Sequence, residues 1–465
     1  MSYKTHKIFK LKKIILISSI VILVFSCSKI KYQPLTENDE ILSGGTQTVF
    51  DEGSGAFGRM FDNLSSSLQR VHEVGDMAFE QTFVSAPAPL HGGLGPLYNN
   101  VSCISCHVND GRGKVPGNSE SAASILFRIS QNGRDAHNGP YGIAGFGDQI
   151  QNRSIASTIK EADVNITYNE QEFKFDDGEK YYLRFPTYTI ANAYMAMQGD
   201  IHISPRVAAP VFGLGLLEAI SEQNILANAD EHDMNKDGIS GKANYVWNVV
   251  ENKTTLGRFG WKANQPSILQ QAAAAYNGDM GITSFIFPKE NSFGQIQYDG
   301  LNDESEVSDS ILHAVDFYLK TLKVPARRNV QDETVKKGKQ IFIQSGCESC
   351  HKETMQTAVN VSFSLLNNQR IHPYTDMLLH DMGNDLSDQR QDYLAEGNEW
   401  RTAPLWGIGL TQKINGHTNF LHDGRARNLM EAILWHGGEA EASKNKVKSL
   451  SKNDRNALIK FLESL

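Results

Sequence analysis

Cysteine and tryptophan are scarce in this chain, and positive charge is outnumbered. Five cysteines in 465 residues exclude a small disulfide-framed fold. After residue 26, no stretch approaches the ~18 consecutive apolar residues of a membrane-spanning helix. Lys and Arg number 45 against 53 Asp and Glu, a formal net charge of −8. That balance argues against a nucleic-acid partner. A phosphate-cradling glycine loop, a nucleotide fingerprint and a Ser-His-Asp order are missing too. The glycines from Gly142 to Gly147 are not followed by a helical pattern. The length suits two or three domains.

Four of the five cysteines fall in two copies of one motif. Cys103-Ile104-Ser105-Cys106-His107 and Cys347-Glu348-Ser349-Cys350-His351 both read C-x-x-C-H. Two thiols at this spacing reach the two vinyl groups of one porphyrin, and the adjacent His falls under the iron as its proximal ligand. With 5 Cys and 14 His in 465 residues, chance supplies about 0.002 such matches. Two copies therefore point to two covalently bound haem c groups. Cys103, Cys106, Cys347 and Cys350 would hold them, with His107 and His351 on the irons. Paired zinc sites and redox dithiols are the rivals. Zinc wants a second ligand pair nearby, and a dithiol has no need of the following His.

The fifth cysteine belongs to an address. Residues 1–13 carry five lysines, and residues 14–26 form an apolar run of 13. Such a run is too short for a comfortable membrane span and right for a signal-peptide core. It ends at Ser26-Cys27, which resembles a bacterial lipobox. Residues 1–26 thus read as a lipoprotein signal peptide and Cys27 as the lipidated N-terminus. The alternative is an uncleaved anchor or an ordinary secretory signal. Cleavage removes five Lys and no acid, leaving 45 − 5 = 40 basic against 53 acidic residues. The expected place is the periplasmic side of the envelope, lipid-anchored. Ser28 where an Asp retains some lipoproteins points to the outer membrane rather than the inner.

Residues 27–45 are polar and read as a tether. Residues 46–325 then form a first haem domain and residues 326–465 a second, with 324–329 as the linker. Helices are expected over 265–276, 309–322, 334–344 and 451–465, from apolar residues at helical spacing. The Gly/Asn/Ser-rich stretch from 110 to about 155 reads as loop over the haem. An internal repeat supports two modules. Ala209-Pro-Val-Phe-Gly-Leu-Gly-Leu216 is echoed by Ala403-Pro-Leu-Trp-Gly-Ile-Gly-Leu410, and Tyr318-Leu-Lys-Thr-Leu322 by Phe461-Leu-Glu-Ser-Leu465. The fold class expected is mainly α: two cytochrome c-like haem modules, with long loop insertions in the first and little sheet.

Several stretches resemble the di-haem oxidoreductase family, relatives of the bacterial di-haem cytochrome c peroxidases. They are residues 373–383 (PYTDMLLHDMG), 399–407 (EWRTAPLWG), 420–427 (FLHDGRAR), 431–438 (EAILWHGG) and 257–263 (GRFGWKA). The resemblance runs from about residue 45 to the C-terminus. It implies a C-terminal haem whose sixth ligand is a Met from a Y-M-H-D-G-like sequence, but Leu421 stands at that place. Met382 is the preferred substitute, with His380, His417 and His422 as others. It also implies a distal Gln and acid at the first haem. By that match Gln271 takes the Gln place and Asp279 the acid, in Ser267-Ile-Leu-Gln-Gln-Ala272 and Asp279-Met-Gly281. A carboxylate beside an open iron can carry a proton between the two oxygens of peroxide.

Asp233, Asn235, Asp237 and Ser240, around Gly238, have the oxygen spacing of a Ca²⁺ loop without the twelfth-place Glu. A solvated turn is the alternative. Arg206 and Arg401 precede the two Ala-Pro segments and suit haem propionates. Trp261, Trp406 and Trp435 could carry electrons between haems or fill core. The function expected is an exported di-haem c-type oxidoreductase, peroxidase-like, reducing a small oxidant such as hydrogen peroxide. Its electrons would come from a periplasmic donor such as a small cytochrome or cupredoxin. The rivals are an electron-transfer cytochrome without a substrate site, an oxidiser of a protein or thiol partner, and a haem-bearing iron-handling lipoprotein.

Overall fold

Each long helix begins where a Ser or Asp side chain can cap its first free amides. The computed structural model describes residues 37–465 except 89, 118–123 and 301–304. The stretch read as a signal peptide and Cys27 therefore lie outside the described residues. The frame is carried by α1 (Ser66–Glu80), α2 (Leu214–Glu218), α3 (Ile268–Met280), α4 (Asp309–Lys320), α5 (Glu333–Gln344) and α6 (Lys452–Ser464). Ser65, Ser267, Ser308, Asp332 and Ser451 accept from amides two or three residues on, which fixes where α1, α3, α4, α5 and α6 start. The apolar spacing read in α4 is realised, with Leu312, Val315, Tyr318 and Leu319 buried. Among the described residues, no helix is long and apolar enough to cross a membrane.

The repeat in the sequence is a repeat in packing. Helix α1 crosses α4 at Gly75, where a Cβ would overlap the carbonyl of Ala314. Helix α5 crosses α6 at Gly338, where a Cβ would overlap the carbonyl of Ala457. Ala314 and Ala457 hold the same place in their helices relative to the echoed Tyr318 and Phe461. Further along, Gly215 lies against the carbonyl of Lys320 and Gly409 against that of Glu463. Between the halves, the two Ala-Pro segments pack on each other. Gly213 (φ 71°) is covered by Trp406, and Gly407 (φ 72°) by Phe212. Both glycines take the left-handed backbone that starts the following turn, a conformation costly with a Cβ.

A fold that is mainly α with little sheet is not what forms. Helix accounts for 29% of the chain and strand for 20%, in several small sheets, so this is an α/β mix. The strands concentrate in the stretch between the first motif and α3. Strand β1 (Ile125–Arg134), inside the stretch read as loop, pairs with β4 (His202–Val207), with Ile129 opposite Ile203. Strands β2 (Asp163–Lys174) and β3 (Lys180–Ala191) form a hairpin paired along its whole length, turning at Gly178. Val164, Ile166 and Tyr168 alternate with polar residues, and Asp177-Gly178 is a hairpin turn pair. The hairpin grips the 420–427 segment: Tyr188 donates to Asp423 at 2.7 Å, and Arg184 to the carbonyls of Gly424 and Arg425.

Residues 37–465 form one compact unit. The largest core cluster joins Phe57, Phe212 and Tyr318 to Trp406, Leu410 and Ile414. Residues 321–327 are all buried, and Val324–Pro325 pairs in parallel with Thr48–Val49. Chain already packs at the end of the stretch read as tether. Glu40 forms ion pairs with Arg327 and Lys339.

Candidate functional site

The first C-x-x-C-H motif closes on itself as one turn. The amides of Cys106 and His107 both point to the Cys103 carbonyl at 3.0 Å. Both thiols of each motif are free and half-buried, and desolvation pushes those of Cys103, Cys106 and Cys347 up to about 12. His107 Nδ1 donates to Ala209 O at 2.7 Å and His351 Nδ1 to Tyr374 O at 2.9 Å. Burial holds both imidazoles near 4, hence neutral. A proton fixed on Nδ1 leaves Nε2 as the lone-pair nitrogen, the arrangement a metal-ligating His shows. Phe79 and Phe342 stand beside these rings at 6.0 and 6.4 Å between centroids, again matched between the halves.

His107 opens onto a cavity of about 270 Å³, lined largely by apolar side chains. Both Ala-Pro segments line it, so the echoed segments serve one site rather than one each. One face of α3 forms another wall, through Ile268, Gln271, Ala272, Ala275, Tyr276 and Asp279. The spacing i, i+3, i+4, i+7 of a helical face brings Gln271 and Asp279 into the same cavity as Cys103, Cys106 and His107. Asp279 accepts from Gln149 Nε2 at 3.0 Å. Burial raises its carboxyl above the usual range, while the nearby Arg128 charge and the Gln149 bond pull it back. A group so placed holds a proton at a pH where an exposed Asp has lost it.

The cavity also holds cations that donate to backbone carbonyls. Arg401 donates to the carbonyls of Gly260 and Thr402. Arg112 donates to Leu421 O and lies 5.3 Å over the Trp261 ring. Burial drives both guanidinium groups down to about 10. Arg206 differs: it is ion-paired with the buried Asp392, which also takes Arg390 at 2.6 Å. A buried cation ending on carbonyls calls for an anion, and haem propionates supply two. The paired thiols, the pinned imidazole, the apolar cavity and these arginines together fit a haem. Arg112 was missed in the sequence although Asp110-Gly-Arg112-Gly follows the motif directly; an Arg in a loop has no distinguishing spacing. Arg112→Leu is expected to lower the reduction potential of one haem, because a positive charge that favours the reduced state is lost. Arg112→Lys should restore most of it, and spectroelectrochemical titration checks both.

Around the second motif, one histidine shares the geometry of the two proximal ones. His436, just beyond the short helix Leu429–Leu434, donates from Nδ1 to Ala432 O at 2.7 Å. Burial lowers its pKa, and its charge acts on His351. Of the three histidines named as alternative ligands, His380 and His417 have both nitrogens engaged and His422 is stacked on Trp400. His380 is held between Asp376 at 2.9 Å and Glu439 at 2.7 Å. Burial opposes its protonation, but its bonds to Asp376, Cys350 and Glu439 outweigh that and raise its pKa well above the ordinary value. His417 bonds Arg112 O and the Asn419 amide. His422 stacks on Trp400 at 3.7 Å. Met382 packs among Trp400, Leu434 and Trp435, and Leu421 takes φ 70° in the same cluster. Nothing in the spacing of Trp435-His436-Gly437 marks a ligand; the signal is the carbonyl four residues back on a helix end.

The remaining expectations have plain positions. Asp233 and Asn235 turn side-chain oxygens to the amides of residues 237–238, and Asp237 to that of Ile239. Ser240 Oγ donates to Glu439 at 2.6 Å. Trp261 and Trp406 line the first cavity, and Trp435 sits under Arg425. Among the described residues, the donor group tight enough for a metal ion is Cys350, Asp376 and His380, within 4.8 Å of one another. Cys350 belongs to the motif.

Comparison with known proteins agrees with this geometry. No curated protein matches the chain. Among solved structures, Kuenenia stuttgartiensis hydrazine synthase, pressurised with 20 bar xenon, shares 14% identity at a TM-score of 0.35, over 98% of this chain and 100% of that one. That likeness is too loose to carry an argument about function. Residues 38–465 match the family described as "Di-haem oxidoreductase, putative peroxidase". Two repeated C-x-x-C-H turns, two pinned proximal imidazoles and a match over nearly the whole chain place this protein in the di-haem oxidoreductase family.

Proposed function

We propose that this protein is an exported, lipid-anchored di-haem c-type peroxidase. Cys103, Cys106, Cys347 and Cys350 would carry the haems by thioether bonds, and Cys27 the lipid. The reaction it balances is H₂O₂ + 2 H⁺ + 2 e⁻ → 2 H₂O, with the electrons taken singly from a periplasmic electron-transfer protein. When bound, the haems supply electron storage and an iron on which peroxide is reduced.

The observation that carries this reading is the cavity where His107 and the Gln271/Asp279 face of α3 meet. A closed electron carrier has no use for a buried, proton-holding acid in such a place. Asp279 would give its proton to the leaving oxygen of peroxide as water departs. Gln271, on the same face, can orient the oxidant through its amide. Arg112 and Arg401 would hold the propionate edge, and Ala272, Ala275 and Tyr276 make an apolar stretch of the wall. His436 would close the second iron, which suits a haem that only takes in and passes on electrons.

The test is stoichiometric. Full-length haem-loaded protein, given a reduced one-electron donor and hydrogen peroxide, is expected to oxidise two donors per peroxide consumed. Absence of any peroxide-dependent donor oxidation contradicts the reading.

A further inference from the structure

Behind Asp279, away from the cavity, lies a group of buried amides and acids that the peroxidase reading does not use. Gln149, Gln151 and Glu161 are 3%, 3% and 0% exposed. They are joined in sequence by short bonds. The Gln151 amide donates to Glu161 Oε2 at 2.6 Å. Gln151 Nε2 donates to Gly278 O at 2.7 Å, and Gln149 Nε2 reaches the same oxygen at 3.0 Å. Gln149 then meets Asp279 at 3.0 Å. Gln295, half-buried, bonds the Glu161 carboxyl from the other end.

Most of the buried atoms left over are acceptors, although Gln297 beside Tyr194 leaves both its Oε1 and its Nε2 unpaired. Gln149 Oε1, Gln151 Oε1, Glu161 Oε1, Asn291 Oδ1 and Gln295 Oε1 are buried without a protein partner. All five are oxygens. A buried run of acceptors requires donors, and native proteins satisfy such groups with ordered water. There is room at the junction: a Cβ on Gly278 would meet nothing nearer than Arg128 Nη2 at 3.7 Å and the Gln149 amide at 3.9 Å.

We propose that the seam from Glu161 through Gln151 and Gln149 holds a chain of ordered water that delivers protons to Asp279. The inference rests on Asp279 being the proton-handling group of the cavity. Each peroxide reduced consumes two protons, and the seam reaches Asp279 by a route separate from the cavity that the oxidant enters. In one delivery step, Glu161 gives its proton to an adjacent water, the water passes one on to the Asp279 carboxylate, and Glu161 is reprotonated from the Gln295 side. No electron moves. The energetics suit the role. Burial lifts Glu161 to about 8, against the Gln151 and Gln295 bonds and with the Asp148 charge adding to it. Tyr194, whose own pKa burial and Glu161 raise, is the other titratable group facing it. Asp279 in turn faces Arg128 and Asp148. Glu161 is thus a positioning and feeding residue, acting through Asp279 rather than on the oxidant.

The test uses full-length haem-loaded protein and two variants. Glu161→Gln keeps an acceptor for the Gln151 amide but carries no proton. Gly278→Ala puts a methyl group into the space beside Gln149. Both should fold and keep wild-type haem spectra. At pH 7 Glu161→Gln is expected to lower kcat at least tenfold with KM unchanged, and to lose the alkaline fall in rate near pH 8 that wild type shows. Gly278→Ala should lower kcat with that fall retained. A high-resolution crystal structure should show water on the five oxygens. Both variants keeping wild-type kcat and pH profile, or a dry or cation-filled seam, overturns the proposal. Proton uptake on reduction of the first haem, read with a pH dye, separates the two readings. If wild type reduces no peroxide but Glu161→Gln loses its proton uptake, the seam stands and the peroxidase falls. If uptake is unchanged in the variant, the seam falls.

Discussion

Gly338→Ala is expected to destabilise the protein by about 3 kcal/mol or more. In an exposed helix this change gains up to about 1 kcal/mol in propensity. Here the added Cβ would overlap the Ala457 carbonyl, with Phe461 Cβ beside it. A flexible side chain could swing aside, but a helix backbone cannot. The helices must separate, which opens the contact of Phe342 with Phe461, 5.1 Å between centroids, and with it the wall behind His351. Gly75→Ala is expected to act alike at α1 and α4, where the Ala314 carbonyl and Tyr318 stand in the same places. Denaturant unfolding measures both. If either variant is as stable as wild type, the close crossing is wrong and the repeat loses its structural basis.

Asp279→Asn carries the largest expected effect on activity. The amide keeps the size of the side chain and can still bond Gln149, but it holds no transferable proton. Loss of a positioned acid–base group costs about 10²–10⁴ in rate, so kcat should fall by that range with haem content intact. The pH profile gives the sign. Burial raises the Asp279 carboxyl above its ordinary value, so the protonated donor persists to higher pH and wild-type turnover falls as pH climbs through that raised value. In the Asn variant that dependence should vanish. A variant with wild-type turnover at every pH removes Asp279 from the chemistry, whatever its place in the cavity.

Helices α3, α4, α5 and α6 and the two C-x-x-C-H motifs were legible because their signals are local, while α1, capped in the same way by Ser65, went unread. Ser65, Ser267, Ser308 and Ser451 cap the helices they precede, and the α4 stripe shows its spacing without help from the rest of the chain. Strand β1 was not legible, since Ile125, Phe127 and Ile129 become a strand only by pairing with residues some 75 positions later. The β2–β3 hairpin could have been found from its alternation and its Asp-Gly turn. Gln271 and Asp279 reach the cavity because eight helical positions bring a side chain back to roughly the same face. His436 and Arg112 depend on what surrounds them, the Ala432 carbonyl on one and the Leu421 carbonyl and Trp261 ring on the other. Arg206, legible as a cation near a haem segment, proves to have its charge taken by Asp392.

An EPR spectrum of the ferric, haem-loaded protein tests the central claim most directly, that one haem faces a reactive cavity and the other is closed. The account predicts one high-spin signal from the haem on His107 and one low-spin signal from the haem on His351. His436→Ala should turn the second high-spin and leave the first as it was. Two low-spin signals in the ferric protein, with the one signal left after one-electron reduction still low-spin, would contradict the account and make this protein an electron carrier.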